Sequence, residues 1–122
     1  MHGEEQWFAV GALSGSNGTK ANGVAQSHVF KDGTTVATVN LNIQPPPKGS
    51  EFVAWLKKPA GTERIRLDVL QNPLSDVRHV ITTEVDKDLR EYTQVEVTLE
   101  RSAGPSEGDP IQATGILKRQ ER

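Results

Sequence analysis

Hydrophobic and polar side chains alternate with a period of two over several segments of the chain, as they do in a β-strand that buries one face. The longest example is the segment 34–43. The residues expected to face the core there are Thr35, Ala37, Val39, Leu41 and Ile43. The same alternation occurs at 64–69 and 94–99, where every second side chain is charged or polar. The pattern therefore predicts half-buried strands.

Turn-forming residues separate these segments. Lys31-Asp32-Gly33 predicts a β-hairpin between 23–30 and 34–43, because Asp and Gly both accept a positive φ. Pro45-Pro46-Pro47 predicts an extended crossover between two sheets, because successive prolines remove the donors of a strand ladder. Further strands are predicted at 7–13, 51–56, 63–69, 77–85, 95–99 and 111–117.

This number of strands predicts an all-β fold, an antiparallel β-sandwich of about seven to eight strands. At most one short helix is expected, at 86–92, where Asp86 is a suitable N-cap. Residues 1–122 are expected to form a single domain with an ordered core at 6–118 and frayed ends beyond it. The hydrophobic fraction of 34% suits a thin core built from strand faces.

Charge and composition exclude several kinds of partner and chemistry. The chain has 14 basic and 16 acidic side chains without a long run of either sign, so nucleic acid is not an expected partner. The absence of cysteine excludes disulfides, thiolate nucleophiles and cysteine-ligated zinc, and no cofactor is expected. No apolar run approaches the ~20 residues of a membrane-spanning helix, and the first residues lack the features of a signal peptide.

Three segments together resemble a known family. They are Phe52-Val53-Ala54-Trp55-Leu56 with the following Pro59-Ala60-Gly61, then Val95-Glu96-Val97-Thr98-Leu99-Glu100 with its Gly/Ser/Pro loop, and finally Ala113-Thr114-Gly115. In this order they resemble the C-terminal, extracytoplasmic domain of the anti-sigma-K factors, over roughly residues 23–117. The chain differs from the family at Arg101 and at Ser102-Ala103-Gly104, where the family carries Pro and a double Gly.

The resemblance implies a non-catalytic sensory or interaction domain of a membrane-anchored bacterial anti-sigma factor, which regulates transcription through regulated proteolysis. It implies a location outside the plasma membrane, with membrane contact only through a segment absent from this chain. It also implies a protein partner, either a membrane protease or an envelope component. The residues to which it gives a structural role are Trp55, Leu56, Thr98, Glu100, Gly104 and Gly115.

Basic side chains give the candidate binding residues. They are Arg64, Arg66 and Arg78, with Lys57 and Lys58 nearby in sequence. If their strands are neighbours, they form a basic stripe that suits anionic lipid headgroups or cell-wall polymers. Acidic side chains in the same segments support a second interpretation, an ordinary charged outer face.

Metal binding and catalysis have less support from the sequence. His28 and His79 lie on different predicted strands and lack a third ligand at a defined spacing. Glu84, Asp86 and Asp88 alternate, but the Gly and the closing Glu of an EF-hand are missing. No Gly-x-Ser-x-Gly motif is present. We therefore predict no metal-ligating or catalytic residue, and the chain is not expected to be an enzyme.

Two other functions remain open at this point. A secreted adhesion or carbohydrate-binding sandwich would use exposed aromatic side chains, above all Trp7 and Trp55 if these lie side by side. A structural subunit would instead assemble by adding a strand of another chain to an open sheet edge. The sequence does not specify the oligomeric state.

Overall fold

The structure is a computed structural model and describes residues 3–16, 18–60, 63–73, 76–101 and 110–120. Its strands are β1 Glu5–Gly15, β2 Asn22–Phe30, β3 Thr35–Asn42, β4 Ser50–Lys57, β5 Arg64–Val69, β6 Arg78–Val85, β7 Gln94–Arg101, β8 Ile111–Ile116 and β9 Lys118–Arg119. The described residues form no helix, and thus none that could span a membrane. The predicted all-β fold is confirmed.

The strands form one antiparallel sheet that bends almost into a closed ring, a barrel-like sandwich. Their order is β5-β4-β7-β8-β1-β2-β3-β6, and the short β9 pairs with β1 beside β8. The two ends of this path meet where Gln71 and Val80 exchange backbone hydrogen bonds of 2.8 Å in both directions. The sheet thus has an inner face around the core and an outer face toward solvent.

The predicted hairpin is present, whereas the predicted crossover joins two strands of one sheet and not two sheets. Between β2 and β3, the Phe30 N–H donates to the Thr34 carbonyl at 2.9 Å, and Gly33 has a φ of 86°. Residues 43–49 then connect β3 to β4, which are not neighbours in the sheet. Because this crossover spans the core, the chain can build the second half of the ring opposite the first.

The core lies inside the ring and follows the alternation of the sequence. All five residues expected to face it from the segment 34–43 are buried. Leucine and valine side chains from the opposite wall meet them, including Leu56, Leu67, Val95 and Val97. One histidine is also buried: the Nδ1–H of His79 donates to the Val77 carbonyl at 3.0 Å, and its ring lies edge-on to Phe52.

The expected helix at 86–92 is wrong. This segment is a loop that closes one end of the ring and places the Leu89 side chain in the core. The Leu89 N–H donates to Thr35 Oγ1 at 2.9 Å, and this hydroxyl donates to the Lys87 carbonyl at 2.8 Å. A helix that begins at Asp86 would have used the Lys87 carbonyl internally and left the Leu89 N–H to a cap, so the tertiary contacts with Thr35 override the local preference.

The expectation of a frayed tail beyond residue 118 is also wrong for its first residues. Lys118 and Arg119 pair with Val10 and Ala9 as β9. The Gln120 N–H donates to the Phe8 carbonyl at 2.7 Å and extends this pairing. The tail is polar and short, so its sequence carries no strand signal, and only the neighbouring backbone of β1 orders it.

The loop at 86–93 also sets the ionisation of a nearby carboxyl group. A hydrogen bond from the Tyr92 hydroxyl, and then the Lys58 ammonium, lower the pKa of Glu63 below its ordinary value of 4.5. A carboxylate with a lowered pKa stabilises the fold above the pKa of the unfolded chain, and this contribution is lost as pH falls through the folded pKa. The loss therefore begins below about pH 4.5.

We predict that Tyr92→Phe raises the pKa of Glu63 toward its ordinary value, because the phenyl ring keeps the packing and removes the donor. NMR titration of the side-chain carboxyl groups measures this change. Asp88, whose carboxylate accepts a hydrogen bond from Arg90 at 2.9 Å, serves as the internal control. An unchanged Glu63 midpoint would show that Lys58 alone sets its pKa.

Candidate functional site

The outer face of the sheet contains an open cleft of about 610 Å³. It crosses β8 and is bounded by β7 on one side and β1 on the other. Its lining residues are Val10, Gly11, Ala12, Ser14, Gln94, Val95, Glu96, Thr114, Gly115, Ile116 and Lys118. The backbone of Gly11 and Gly115 borders this space, while the alternation of β1 and β8 turns these two positions toward the inner face. The cleft is thus a depression between the side chains of three neighbouring strands.

Strand register determines which side chains surround the cleft. Glu96 on β7 is opposite Thr114 on β8, and Thr114 is opposite Ser14 on β1. Lys118 is opposite Val10 at the other end. Residues opposite one another share a face of the sheet. The cleft therefore combines hydroxyl groups and a carboxylate at one end with an ammonium group at the other.

A charged cluster lies beside the cleft on β4, β5 and β7. The Arg64 guanidinium stacks on the Trp55 ring at 3.8 Å from its centroid. The Glu96 carboxylate lies 3.8 Å from the Arg64 guanidinium and 3.7 Å from Lys57 Nζ. These separations exceed hydrogen-bond distance, so the contacts are electrostatic and leave N–H donors of both cations available. Glu96 belongs to both the cluster and the cleft.

Beneath this cluster runs a hydrogen-bond chain of three side chains. Trp55 Nε1–H donates to Thr98 Oγ1 at 2.9 Å, and that hydroxyl donates to Glu100 Oε2 at 3.1 Å. Thr98 and Glu100 are each only 2% exposed, although their position in the alternation places them on the outer face. The sequence analysis missed this burial. The continuous apolar run 52–56 was the available signal, because it indicates a strand covered on both faces.

We predict that Thr98→Val lowers the free energy of unfolding by about 1.5 kcal/mol. Valine keeps the shape of threonine but leaves the Trp55 N–H and the Glu100 carboxylate without this hydroxyl in a buried setting. Urea denaturation measures the difference. Thr114→Val is the matched control, because Thr114 is exposed on the same face of the neighbouring strand. Equal effects of the two substitutions would argue that the buried chain contributes no stability.

The structure separates the three candidate arginines. Arg64 and Arg66 lie on the outer face of β5, where Arg66 is 3.8 Å from Asp68. Arg78 lies on β6, opposite Asn42 of β3. Lys57 lies near the Glu96 carboxylate, as Arg64 does, whereas Lys58 forms an ion pair of 3.3 Å with Glu63. Arg64 and Arg66 are thus grouped on β5, whereas Arg78 precedes Val80, the residue that bridges to Gln71 beyond the far end of β5.

The two histidines do not meet. His28 is on the outer face of β2, where it pairs with Glu5 and stacks on Phe8 at 4.6 Å. His79 is on the inner face of β6, and β3 lies between the two strands. Glu84 is the second-last residue of β6, and the two aspartates that alternate with it fall in the following loop. Within the ranges that the structure describes, no three His, Asp or Glu side chains gather as metal ligands.

The two tryptophans lie on opposite faces of the sheet. Trp7 packs against the core, whereas Trp55 lies on the outer face of β4 beneath Arg64. Two strands of the path, β7 and β8, lie between them. The side-by-side aromatic surface that a carbohydrate-binding function would use is therefore not formed by these two residues.

Near the closure of the ring, little free sheet edge is available for the addition of another strand. The Gln71–Val80 bridge joins the ends of the strand path. Beside it, the Val69 N–H donates to Asp68 Oδ1 at 2.7 Å, and the Val69 carbonyl accepts from Gln71 Nε2 at 3.4 Å. Local side chains thus occupy backbone groups that an added strand would need.

The segments that resemble the anti-sigma-K family occupy three consecutive strands, β4, β7 and β8. Leu56 is buried in the core and Gly115 lines the cleft, whereas Gly104 lies outside the described residues. Comparison with models of protein families, with curated proteins and with solved structures gives no match for this chain.

Proposed function

We propose that this chain is a non-catalytic recognition domain that forms the extracytoplasmic part of a membrane-anchored anti-sigma factor in a bacterium. The observation that carries the proposal is the position of the three segments that resemble that family. They form the adjacent strands β4, β7 and β8, and side chains of the first two are joined through the chain Trp55, Thr98 and Glu100. A likeness between unrelated parts of the fold would not link them in this way.

The cleft beside these strands supports recognition as the role. Its volume lies within the range of about 300–1,000 Å³ that ligand sites occupy in proteins. Its wall combines apolar side chains with a few polar groups, the arrangement that gives both affinity and orientation. The charged groups next to it contact one another, as Glu96 does with Lys57 and Arg64.

The mechanism that we propose is a change of stability upon binding. A ligand in the cleft would contact β1, β7 and β8 together and stabilise the folded domain by mass action. Loss of the ligand would allow local opening, which exposes a neighbouring segment to a membrane protease. Cleavage would then release the sigma factor inside the cell.

The test begins with the gene in its native reading frame. Upstream codons for a helical segment followed by about 20 apolar residues are expected. The full-length protein would then carry an epitope tag at its N-terminus, and a reporter would measure sigma-dependent transcription. We expect a destabilising Leu89→Ala substitution in this domain to release the tagged segment and to raise the reporter signal several-fold.

A matched strain with Val77→Ala, an exposed position, controls for expression level. Recovery of the full-length protein in the cytoplasm, or a reporter that does not respond to Leu89→Ala, would overturn the anti-sigma role. A cleavable leader without a membrane segment would favour a secreted binding module instead.

A further inference from the structure

We propose that the cleft binds an extended peptide segment of a partner protein that presents an apolar side chain followed by an acidic one. This inference rests on the proposed recognition role, but it does not require the membrane anchor or the sigma factor. It assigns the two ends of the cleft to different parts of the partner.

Exposed apolar side chains indicate a protein partner. Ile116 is 59% exposed and Val24 is 41% exposed, and they are two of the three large apolar side chains that the described part of the chain leaves exposed. Both lie on the outer face next to the cleft. Ala12, which is opposite Val24 and also exposed, lies between them. Apolar groups from β8, β1 and β2 thus form a continuous strip along one wall.

Contiguous exposed apolar groups mark interaction sites more often than isolated ones do. The third exposed apolar side chain, Val77, is far along the strand path and lies before β6. It is isolated and serves below as a control.

Charge around the cleft favours an acidic partner. Lys57 and Arg64 flank Glu96 at one end of the cleft and Lys118 lies at the other; with the buried Glu100 counted, three cations stand against two carboxylates, a formal excess of about +1. The chain as a whole carries a formal charge of −2. A positive region on a negative protein attracts an acidic segment of a partner. This region also repels other copies of the negatively charged protein less than the rest of its surface does.

Lys118 is the cation best placed to bind an acidic side chain. It is exposed, lines the cleft opposite Val10 and follows Ile116 by two residues in the chain. Among the described residues, no carboxylate forms an ion pair with Lys118. Its ammonium group therefore has three donors available to a ligand.

The shape of the cleft favours an extended peptide. None of its described lining residues is aromatic, so a sugar would find no ring among them on which to stack. Its floor is backbone at Gly11 and Gly115, and hydroxyl and amide groups of Ser14, Thr114 and Gln94 border it. These groups can hydrogen-bond the N–H and carbonyl groups that an extended chain presents along its length.

The experiment selects ligands without assuming their sequence. A phage-displayed library of random dodecapeptides is panned against the 122-residue chain, and selected peptides are synthesised for fluorescence anisotropy. We expect enrichment of peptides with an apolar residue followed closely by Asp or Glu. Ile116→Ser and Lys118→Glu are each expected to weaken binding about tenfold. Raised salt is expected to weaken binding to the unmodified chain more than binding to Lys118→Glu.

Two matched controls lie away from the cleft. Val77→Ser and Lys48→Glu make the same kinds of change at exposed positions and are expected to alter affinity less than about twofold. Replacing the acidic residue of the peptide by its amide should weaken binding to the unmodified chain but not to Lys118→Glu. An absence of enriched peptides, enrichment of basic peptides, or binding unaffected by both cleft substitutions would overturn the inference. Because this assay uses the domain alone, its failure is distinct from failure of the reporter test.

Discussion

Replacing Leu89 with alanine is expected to lower the free energy of unfolding by about 3 kcal/mol, within the range for a fully buried leucine. The Leu89 side chain fills one end of the core, where the loop 86–93 closes the ring. Thr35 holds that loop in place through hydrogen bonds with the Leu89 N–H and the Lys87 carbonyl. The backbone therefore cannot move inward to fill the cavity, and most of the lost packing remains lost.

Urea denaturation followed by tryptophan fluorescence measures this difference. Val77→Ala is the control, since Val77 is 41% exposed and its truncation is expected to change stability by about 0.5 kcal/mol or less. If Leu89→Ala proved as mild as this control, the loop would be a surface segment and not part of the core.

The success of the sequence analysis for individual strands has a simple physical basis. A strand buried on one face must alternate, and the alternation at 34–43 identifies both the element and its buried side. The hairpin is predictable for a similar reason, because its turn depends only on the backbone conformations that Asp32 and Gly33 favour. Such features depend on residues that are neighbours in sequence.

The errors concern residues whose conformation depends on distant neighbours. The expected helix at 86–92 fails because Thr35, more than fifty residues away in sequence, takes up the backbone groups of the loop. Lys118 and Arg119 form a strand because β1 offers backbone partners. Neither contact leaves a signal in its own segment.

The candidate site was harder to predict than the strands. Arg64 was identified from the sequence, but its stacking on Trp55 and its proximity to Glu96 require the order β5-β4-β7. The cleft itself depends on how β8 and β1 approach each other. No periodicity in the sequence reports the register between strands that are about a hundred residues apart, such as the pairing of Leu13 with Gly115.

The close approach of β1 and β8 can be tested at Gly11. Gly11→Ala is expected to lower the free energy of unfolding by about 2.5 kcal/mol. A Cβ atom at this position would lie 2.3 Å from the Ile116 carbonyl oxygen and 2.8 Å from its carbonyl carbon. Both are backbone atoms, so no change of rotamer relieves the overlap. β1 and β8 must separate, which strains the pairing of Val10 with Lys118.

A loss of stability in Gly11→Ala is informative, because a change from glycine to alanine otherwise favours folding. Replacing Gly by Ala restricts the unfolded chain and usually stabilises a protein by about 0.4–1 kcal/mol where the backbone permits it. Ala60→Val is the control, because Ala60 is exposed after the end of β4 and does not line the cleft. Thermal unfolding gives the stabilities, and amide chemical shifts of Gln94 and Thr114 report the shape of the cleft. A stable Gly11→Ala protein with unchanged shifts would mean that the two strands are not in close contact, and the floor of the cleft would then be wider than the structure shows.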